Sequence, residues 1–349
     1  MKNDWNQRKS LLLINNSLNL SLISSLMSYL CTDNIYALSV LSKQMDRKIK
    51  VSIEQRDLFG AKGTVISPLN YIGGKRKLLP QILPLFPTKI STFIDLFCGG
   101  CTVGLNVDAE KVVFNDNLTY LIDMYQAFLH TNKEDVLFYI ETRVKDLKLT
   151  QTNKEGYLKL RAEYNSVRNP LDLFILIAYS FNHQIRFNSS HEYNNPFGKE
   201  RSSYNSKMQD NLRSFLDAIH SRNVSFSNLD FREVDFSVLS DNDFVYADPP
   251  YLITRGTYND GKRGFSGWGT SEEIALLELL KSLDSKGVRF ALSNVLTHKG
   301  EKNKLLQEWI SEHGFSVHWL DMCYNNSNYQ SAASKGKTLE ILVTNYTNN

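Results

Sequence analysis

The chain has 349 residues, a formal net charge of +3, 42% hydrophobic residues and 22% charged residues. This balance is ordinary for a globular protein and excludes a disordered or fibrous chain. A net charge so close to zero also means that any affinity for nucleic acid must come from local basic patches. No apolar run approaches the ~20 residues of a membrane span, so no membrane association is predicted.

The four cysteines are too sparse for a disulfide scaffold and favour a reducing, cytoplasmic compartment. The first residues, MKNDWNQRKSLLLINNS, lack the small-residue cleavage site of a signal peptide. Cys98 and Cys101 form a C-x-x-C motif, but no second pair and no nearby His complete a zinc site. A metal is therefore not expected.

Residues 1–62 are predicted to form a helical extension. The stretches LNLSLISSLMSYL and DNIYALSVLSKQMDRKIK place apolar residues at helical spacing. Packing against the main body is favoured over a separate helix-turn-helix, and AKGTVISP, residues 61–68, is the expected junction. The sequence assigns this extension no function.

Beyond this junction, candidate strands alternate with helical patterns. The segments SEEIALLELLKSLDSKG and KNKLLQEWISEHG open with polar residues and end at glycine, as helix caps prefer. Alternation of this kind predicts an α/β fold with a doubly wound, Rossmann-like sheet of about seven strands. The candidate strands are residues 91–97, 111–117, 223–230, 243–250, 288–294, 315–322 and 339–345.

One long segment interrupts the alternation. Residues 123–222 have long helical patterns followed by the polar, strand-poor run HQIRFNSSHEYNNPFGKERSSYNSK. An irregular run of this length inside a compact fold is unusual and is often functional. We therefore expect a mainly helical insertion within a domain formed by residues 63–122 and 223–349.

A glycine-bearing turn follows the first candidate strand in FIDLFCGGCTVGLN, residues 93–106. Such a turn lets backbone N–H groups and a helix start approach a ligand closely. The pattern is not Gly-x-Gly-x-x-Gly, so taken alone it is as typical of sheet architecture as of function. Asp116 stands at the end of the second strand, about 20 residues later, where an acidic side chain can bind both hydroxyls of a ribose. Together these features indicate an adenosine-containing cofactor.

The segment SPLNYIGGKRKLLPQI, residues 67–82, precedes the first strand. Tyr71 offers an aromatic face, two glycines give a flexible backbone, and Lys75, Arg76 and Lys77 concentrate positive charge. An exposed basic helix start would have the same composition, so this stretch alone leaves both interpretations open.

The stretch FVYADPPY runs from a predicted strand directly into two prolines. Pro249 and Pro250 fix φ and donate no backbone hydrogen bonds, so the chain is stiff where the strand ends. The exocyclic amine of a nucleobase is a poor nucleophile because its lone pair is delocalised into the ring. If Asp248 and a backbone carbonyl each accept one amino hydrogen, the lone pair becomes available, and the rigid corner holds both acceptors in place. Tyr251 then offers a ring on which a flipped base can stack.

Taken together, these motifs resemble the Dam-type, alpha-group DNA adenine methyltransferases, which transfer a methyl group from S-adenosylmethionine to adenine. The resemblance covers roughly residues 67–346 and keeps the family's order of motifs. It rests on YIGGK, DLFCGGC, the Asn-Asp pair at 115–116, FNHQIRFNSSHEYNNPFG, DPPY, the Ser-Asn pair at 293–294 and LEILVTNY.

The resemblance implies that S-adenosylmethionine is the methyl donor, that no metal is needed, and that the substrate is a flipped adenine in double-stranded DNA. Residues 123–222 then form the target-recognition domain. The implied catalytic residues are Asp248, Pro249, Pro250 and Tyr251. The implied cofactor contacts are Tyr71, Gly74, Lys75, Asp95, Phe97, Gly99, Asp116 and Asp248. The residues expected to meet DNA are Lys75, Arg186, Phe187, Asn188, Lys199, Arg201, Lys335 and Lys337.

The family context also implies a monomer or weak dimer in the cytoplasm of a bacterium, encoded by the host or by a phage. The same context implies that the enzyme acts in restriction–modification or in DNA marking. A restriction endonuclease is the partner that a restriction–modification system implies.

Three features depart from the family pattern. Cys101 stands where the glycine turn usually has glycine, Phe187 stands where many relatives have tyrosine, and residues 1–62 lack a counterpart in the minimal members. The cysteine at 101 bears on the affinity for the cofactor, and the phenylalanine at 187 leaves the DNA sequence preference open.

Two other functions also stay open. One is a DNA-binding regulator with a decayed methyltransferase body, and the other is methylation of the 4-amino group of cytosine, although Asp248 rather than serine before Pro-Pro-Tyr favours adenine.

Overall fold

The computed structural model describes residues 63–71, 73–254, 267–321 and 338–347. The chain divides into two units, Met1–Lys62 and Gly63–Asn349. The predicted helical extension lies outside the described residues, and so do Lys335 and Lys337.

The described residues form one mixed sheet, which confirms the predicted fold class. Its strand order is β3-β2-β1-β4-β5-β8-β7, and the short β6 pairs with the end of β5. The neighbours from β3 to β5 run parallel, whereas β8 runs antiparallel to both β5 and β7. All seven predicted strands are present, and β6 is an addition. The strands are β1 Thr92–Asp95, β2 Lys111–Asn115, β3 Val224–Ser227, β4 Phe244–Ala247, β5 Arg289–His298, β6 Glu301–Lys302, β7 Ser316–Leu320 and β8 Leu339–Thr344.

Helices lie between the strands, as the alternating pattern predicts. In the described ranges the α-helices are α1 Leu79–Ile82, α2 Thr119–His130, α3 Lys133–Asp146, α4 Lys154–Val167, α5 Pro170–Tyr179, α6 Ser206–His220, α7 Thr270–Ser285 and α8 Lys304–His313. Asparagine caps several of them. The side chain of Asn132, for example, accepts hydrogen bonds from the first-turn N–H groups of α3, which have no partner within the helix.

Both faces of the central parallel strands are covered, and β4, with the sequence FVYA, is accordingly apolar and buried at every residue. Along β1, Phe93 and Ile94 point to opposite sides and belong to two different apolar clusters. The cluster around Phe93 contains side chains of α2 to α6, and the cluster around Ile94 contains those of α7 and α8. The sheet is therefore a central layer between two groups of helices.

The carboxyl ends of β1, β2 and β4 meet at one edge of the sheet, because these three strands are parallel neighbours. Asp95 pairs in register with Phe114 of β2 and with Tyr246 of β4. After β1 the chain moves outward through β2 to β3 and then returns to the other side of β1 with β4. Ligands of open α/β sheets bind at such a reversal of strand order.

The predicted target-recognition insertion is not a separate body in the structure. Side chains of α2, α5 and α6 belong to the same apolar cluster as one face of the sheet. The predicted boundary at residue 123 falls inside α2, since this helix runs from Thr119 to His130 and packs as one unit. Helix α5 is buried along nearly its whole length, so it anchors the insertion on the sheet.

The polar run after α5 is an ordered loop held by buried hydrogen bonds. The side-chain amide of Asn195 donates to the carbonyls of Phe181 and Gln184 at 3.1 and 2.9 Å. The hydroxyl of Tyr157 donates to the Asn195 carbonyl at 2.7 Å. A loop of polar composition thus acquires a fixed shape because its side chains satisfy its own backbone carbonyls.

We expect Asn195→Ala to lower the free energy of unfolding by about 1–3 kcal/mol, because it leaves two partly buried carbonyls without a partner. Urea denaturation measures this change. The control is Asn242→Ala, which removes an exposed side chain and should change stability by less than about 0.5 kcal/mol. Equal small effects of both substitutions would show that the loop does not depend on Asn195.

Candidate active site

The glycine turn follows β1 at the edge where the parallel strands end. Its backbone is fixed by hydrogen bonds from the Cys98 N–H to the Asn115 carbonyl at 2.8 Å and from the Cys101 N–H to the Cys98 carbonyl at 2.6 Å. Gly99 has φ of 44°, and a Cβ at this position would lie 2.7 Å from the Tyr71 ring. Glycine is therefore required at residue 99 for two reasons, a left-handed backbone and the close approach of Tyr71.

Cys101 stands in the same turn with φ of 59°, a conformation that glycine adopts more easily. This observation gives a physical reason for the glycine that the family has at this position. Cys98 and Cys101 are free and buried, and burial raises the pKa of both thiols. Buried thiols of raised pKa are inert, so they pack beneath the turn rather than react.

Asp116 follows β2, and its side chain connects the glycine turn after β1 to the loop between β2 and α2. Its carboxylate accepts hydrogen bonds from the Gly99 N–H and from the Leu118 N–H, both at 3.0 Å. Burial raises the pKa of Asp116, and the two N–H donors act in the opposite direction. A carboxylate oxygen has two lone pairs, so Asp116 can accept further hydrogen bonds while it holds the turn.

Asp95 lies under the turn at the end of β1. Its carboxyl accepts a hydrogen bond from the Gly104 N–H at 3.2 Å and is 2% exposed. Burial raises the pKa of Asp95 to about 8, the Gly104 N–H lowers it, and the nearby carboxylates of Asp248 and Asp116 raise it further. Asp95 therefore supports the turn from below, and its contact with the cofactor stays a prediction.

A second cluster joins the YIGGK segment to the DPPY corner. The Lys75 ammonium lies 2.8 Å from Oδ2 of Asp248 and 3.4 Å from Oε1 of Glu340. The Tyr251 hydroxyl lies 3.1 Å from Oδ1 of Asp248 and 2.9 Å from Oε1 of Glu340. The ammonium also donates to the Gly73 carbonyl at 3.1 Å. One cation and one hydroxyl are thus shared by two carboxylates.

The electrostatics of this cluster follow from burial. Burial alone lowers the pKa of Lys75, but the two carboxylates outweigh it and raise the pKa above the ordinary value. Burial raises the pKa of Asp248, while Lys75 lowers it and Glu340 raises it. The pKa of Asp248 therefore lies above its ordinary value because of burial, and the charged Lys75 ammonium beside it is the group that favours the carboxylate form.

A cavity of about 260 Å³ lies between the turn and this cluster. Every residue that the sequence assigned to catalysis or to the cofactor lines it, so the fold brings together residues that are as far apart in sequence as Tyr71 and Tyr251. These lining residues are Tyr71, Gly74, Lys75, Asp95, Phe97, Gly99, Asp116, Asp248, Pro249, Pro250 and Tyr251. Glu340 is not among the lining residues.

One wall of the cavity is aromatic. The ring centroids of Phe97 and Trp268 are 5.5 Å apart, and Phe231 lies 5.5 Å from Phe97. The Trp268 indole N–H donates to the buried carboxylate of Glu273 at 2.8 Å. Sequence reasoning missed Phe231 and Trp268, because an isolated aromatic residue in a loop carries no local motif.

Several predicted DNA-contacting residues lie on the loop after α5. Arg186 lines the cavity, and its Nε is buried without a hydrogen-bond partner among the described residues. The Asn188 side chain stabilises its own loop by accepting from the Glu192 N–H at 2.8 Å. Lys199 is exposed beside Glu200, and the Arg201 guanidinium stacks 5.2 Å from the Phe181 ring.

Phe187, which the resemblance implies as a DNA contact, is buried in the structure. It is 2% exposed, and its ring stacks on Tyr120 with centroids 4.3 Å apart and meets Tyr193 edge-on at 5.5 Å. Although the run is polar in composition, aromatic residues from three segments of the chain meet here. Contact between Phe187 and DNA stays a prediction, while its buried position favours a packing role.

Two further observations concern the remaining expectations. Across the described ranges, no helix is long and apolar enough to cross a membrane. Among the same residues, no group of three or more His, Cys, Asp or Glu side chains could hold a metal ion.

The sequence of residues 71–325 matches the family described as D12 class N6 adenine-specific DNA methyltransferase. The chain belongs to this family. This assignment confirms the resemblance read from the motifs, and the fold described above is the Rossmann-like sheet that it implies.

Individual relatives extend this result. The chain is 47% identical over 307 residues to the type II methyltransferase M.FokI of Planomicrobium okeanokoites, covering 88% of this chain and 46% of that protein. It is 49% identical over 280 residues to the modification methylase StsI of Streptococcus sanguinis, covering 80% of this chain and 43% of that protein. It is 28% identical over 232 residues to the DNA adenine methylase of Haemophilus influenzae, covering 65% of this chain and 78% of that protein. The chain thus spans less than half the length of the first two relatives.

The raised pKa of Asp95 predicts a pH dependence of stability. The unfolded chain releases this proton near the ordinary pKa of 3.8, whereas the folded protein keeps it up to about pH 8. The folded state therefore binds the extra proton between these values, and the contribution of Asp95 to stability falls as the pH rises from about 4 to 8.

Asp95→Asn keeps an oxygen for the Gly104 N–H and removes the titration. We expect the free energy of unfolding of the wild type to fall more steeply than that of the variant between about pH 5 and 8. Urea denaturation across this range measures both slopes. Parallel curves would show that Asp95 does not hold a proton in the folded protein.

Proposed function

We propose that this chain binds S-adenosylmethionine in the cavity and transfers its methyl group to the 6-amino group of a flipped adenine in double-stranded DNA. The observation that carries the proposal is the Asp248 carboxylate. It lies at the rigid Pro-Pro corner, opens onto the cavity and forms an ion pair with the Lys75 ammonium at 2.8 Å. Family membership supports the same reaction.

The residues around the glycine turn fit an adenosine-containing cofactor. Backbone N–H groups and the close packing of Tyr71 on Gly99 leave a narrow cleft, and Asp116 lies beside it with carboxylate lone pairs to spare for ribose hydroxyls. The aromatic wall of Phe97, Phe231 and Trp268 suits the adenine ring. When bound, the cofactor supplies a methyl group on a positively charged sulfur.

The DPPY corner prepares the adenine amine. Asp248 accepts one amino hydrogen, and a backbone carbonyl of the corner accepts the other, so the nitrogen lone pair is withdrawn from the ring and points at the methyl group. Pro249 and Pro250 fix these acceptors before the substrate arrives, which avoids reorganisation during the reaction. The ring of Tyr251 offers a surface on which the flipped base stacks.

The balance of the reaction is simple. Bound S-adenosylmethionine would supply the methyl group to the amine nitrogen, and its sulfur would keep the electron pair of the broken carbon–sulfur bond and become neutral. The methylated nitrogen then loses one proton, which the Asp248 carboxylate accepts and passes to solvent. No covalent bond to the protein is needed.

The DNA is proposed to approach from the side of the loop after α5. Arg186 carries the best-supported role, because its guanidinium lines the cavity and has a buried nitrogen without a partner among the described residues. Arginine binds guanine through two parallel hydrogen bonds. Lys199 and Arg201 are proposed to meet phosphates, since both are exposed near this loop.

The cellular setting is proposed from the relatives alone. StsI is named as a modification methylase, and M.FokI as a type II methyltransferase. These names support a role in restriction–modification in the cytoplasm, with a restriction endonuclease as the partner activity. A monomer or weak dimer stays a prediction from the sequence.

The experiment is a methylation assay with duplex DNA of mixed sequence and S-adenosylmethionine carrying a labelled methyl group. The DNA is digested to nucleosides, and we expect the label in N6-methyladenine. Asp248→Ala should lower turnover by about 10²-fold, as loss of one preorganised group does. Label in the 4-amino group of cytosine, or turnover unchanged by the substitution, would contradict the proposal.

The control for this prediction is Asp241→Ala, which removes an exposed aspartate near β4 and should leave turnover unchanged. Thermal unfolding of both variants shows whether a loss of turnover reflects chemistry or a loss of folded protein.

A further inference from the structure

Glu340 is a buried carboxylate in an otherwise apolar strand. It is 5% exposed, and every residue of β8 after it up to Thr344 is buried. The Glu340 backbone pairs with Val295 of β5 and with Leu320 of β7, so the side chain projects from the interior of the sheet. A carboxylate so placed needs compensating hydrogen bonds or charges, since burying an unpaired charge is costly.

Both partners of Glu340 are also partners of Asp248. Oε1 of Glu340 lies 3.4 Å from the Lys75 ammonium and 2.9 Å from the Tyr251 hydroxyl. Asp248 lies closer to the ammonium, at 2.8 Å, and farther from the hydroxyl, at 3.1 Å. Glu340 does not line the cavity, whereas Lys75, Asp248 and Tyr251 do. It can therefore act on a substrate only through these three residues.

The hydroxyl of Tyr251 has one proton and two carboxylate acceptors. When it donates to Glu340, Oδ1 of Asp248 is left without that donor. When it donates to Asp248, both oxygens of Asp248 are engaged, Oδ2 by Lys75 and Oδ1 by Tyr251. The direction of one O–H bond thus decides whether Oδ1 of Asp248 meets another donor with both lone pairs unused or with one already engaged by Tyr251, which makes it the weaker acceptor.

We propose that Glu340 is a positioning residue. It accepts the hydrogen bond from the Tyr251 hydroxyl, so that this hydroxyl does not donate to Asp248 and Oδ1 of Asp248 stays available to the amine of the flipped base. The inference rests on the proposed methyl transfer and assigns a role in it to a residue outside the cavity. Glu340 contacts neither base nor cofactor in this scheme. Its effect passes through Tyr251.

Glu340→Gln tests this role with little change in shape. A neutral amide oxygen is a weaker acceptor than a carboxylate, so in this variant Asp248 is the one charged acceptor left to Tyr251 among its described partners. The hydroxyl should turn to Asp248 and compete with the amine. We expect kcat to fall about 10-fold or more, as for loss of a hydrogen bond to a charged group. KM for S-adenosylmethionine should stay within about twofold, because Glu340 lies outside the cavity.

Tyr251→Phe in the same background gives the decisive comparison. It keeps the ring and removes the competing hydroxyl, so the double variant should turn over faster than Glu340→Gln alone. A structural role of Glu340 predicts the opposite, a double variant slower than either single variant. Non-additivity of this sign is expected only where two residues act on one another.

The outcomes separate the inference from the proposed function. If the wild type transfers no methyl group to DNA, the proposed function fails. If the wild type is active and Glu340→Gln equals it, or the second substitution slows Glu340→Gln further, the positioning role is wrong. Glu278→Gln, an exposed glutamate of α7, is the matched control and should match the wild type.

Thermal unfolding shows whether Glu340→Gln is folded. If it is not, Glu340→Asp takes its place. This variant keeps the charge but moves the oxygen away from Tyr251 by about one bond length, and the same rescue by Tyr251→Phe is expected. Lack of rescue in that background would equally overturn the inference.

Discussion

The buried ion pair between Lys75 and Asp248 is the interaction on which the rest of the site depends. It joins the YIGGK segment before β1 to the DPPY corner after β4. Both partners line the cavity, and the glycine turn lines it as well. Removing one partner of a buried pair leaves an uncompensated charge, which costs far more than the pair contributes to stability. Such a pair is weak evidence for stability and good evidence for a site whose charges are arranged for chemistry.

The sheet brings these charges together. Because β1, β2 and β4 are parallel neighbours, the side chains that follow them, such as Asp116 and Asp248, collect at one edge. One ammonium, that of Lys75, faces the carboxylates of Asp248 and Glu340. The proposed methyl donor is a cation and its product is neutral, so under the proposed function these carboxylates would favour the donor over the product.

Local motifs made much of this site predictable from the sequence. DPPY, YIGGK and the acidic end of β2 each combine a backbone constraint with a chemical group within a few residues. Glu340 carried no such signal, because a single acidic residue in LEILVT resembles an exposed strand position until the strand is seen to be paired on both sides, with β5 and with β7. The burial of Phe187 was not predictable from its loop, because the loop has a polar composition and the main aromatic partner, Tyr120, comes from helix α2.

Calorimetric titration with S-adenosylmethionine tests the central claim most directly, that the edge formed by the ends of β1, β2 and β4 is a cofactor site. The wild type is expected to bind, and Asp116→Ala to bind more weakly by about 1–3 kcal/mol, the range for a lost hydrogen bond to a charged group. Asp123→Ala, which changes a more exposed aspartate on α2, should bind as the wild type does. Absence of binding to the folded wild type, or equal affinity of the Asp116 variant, would contradict the account.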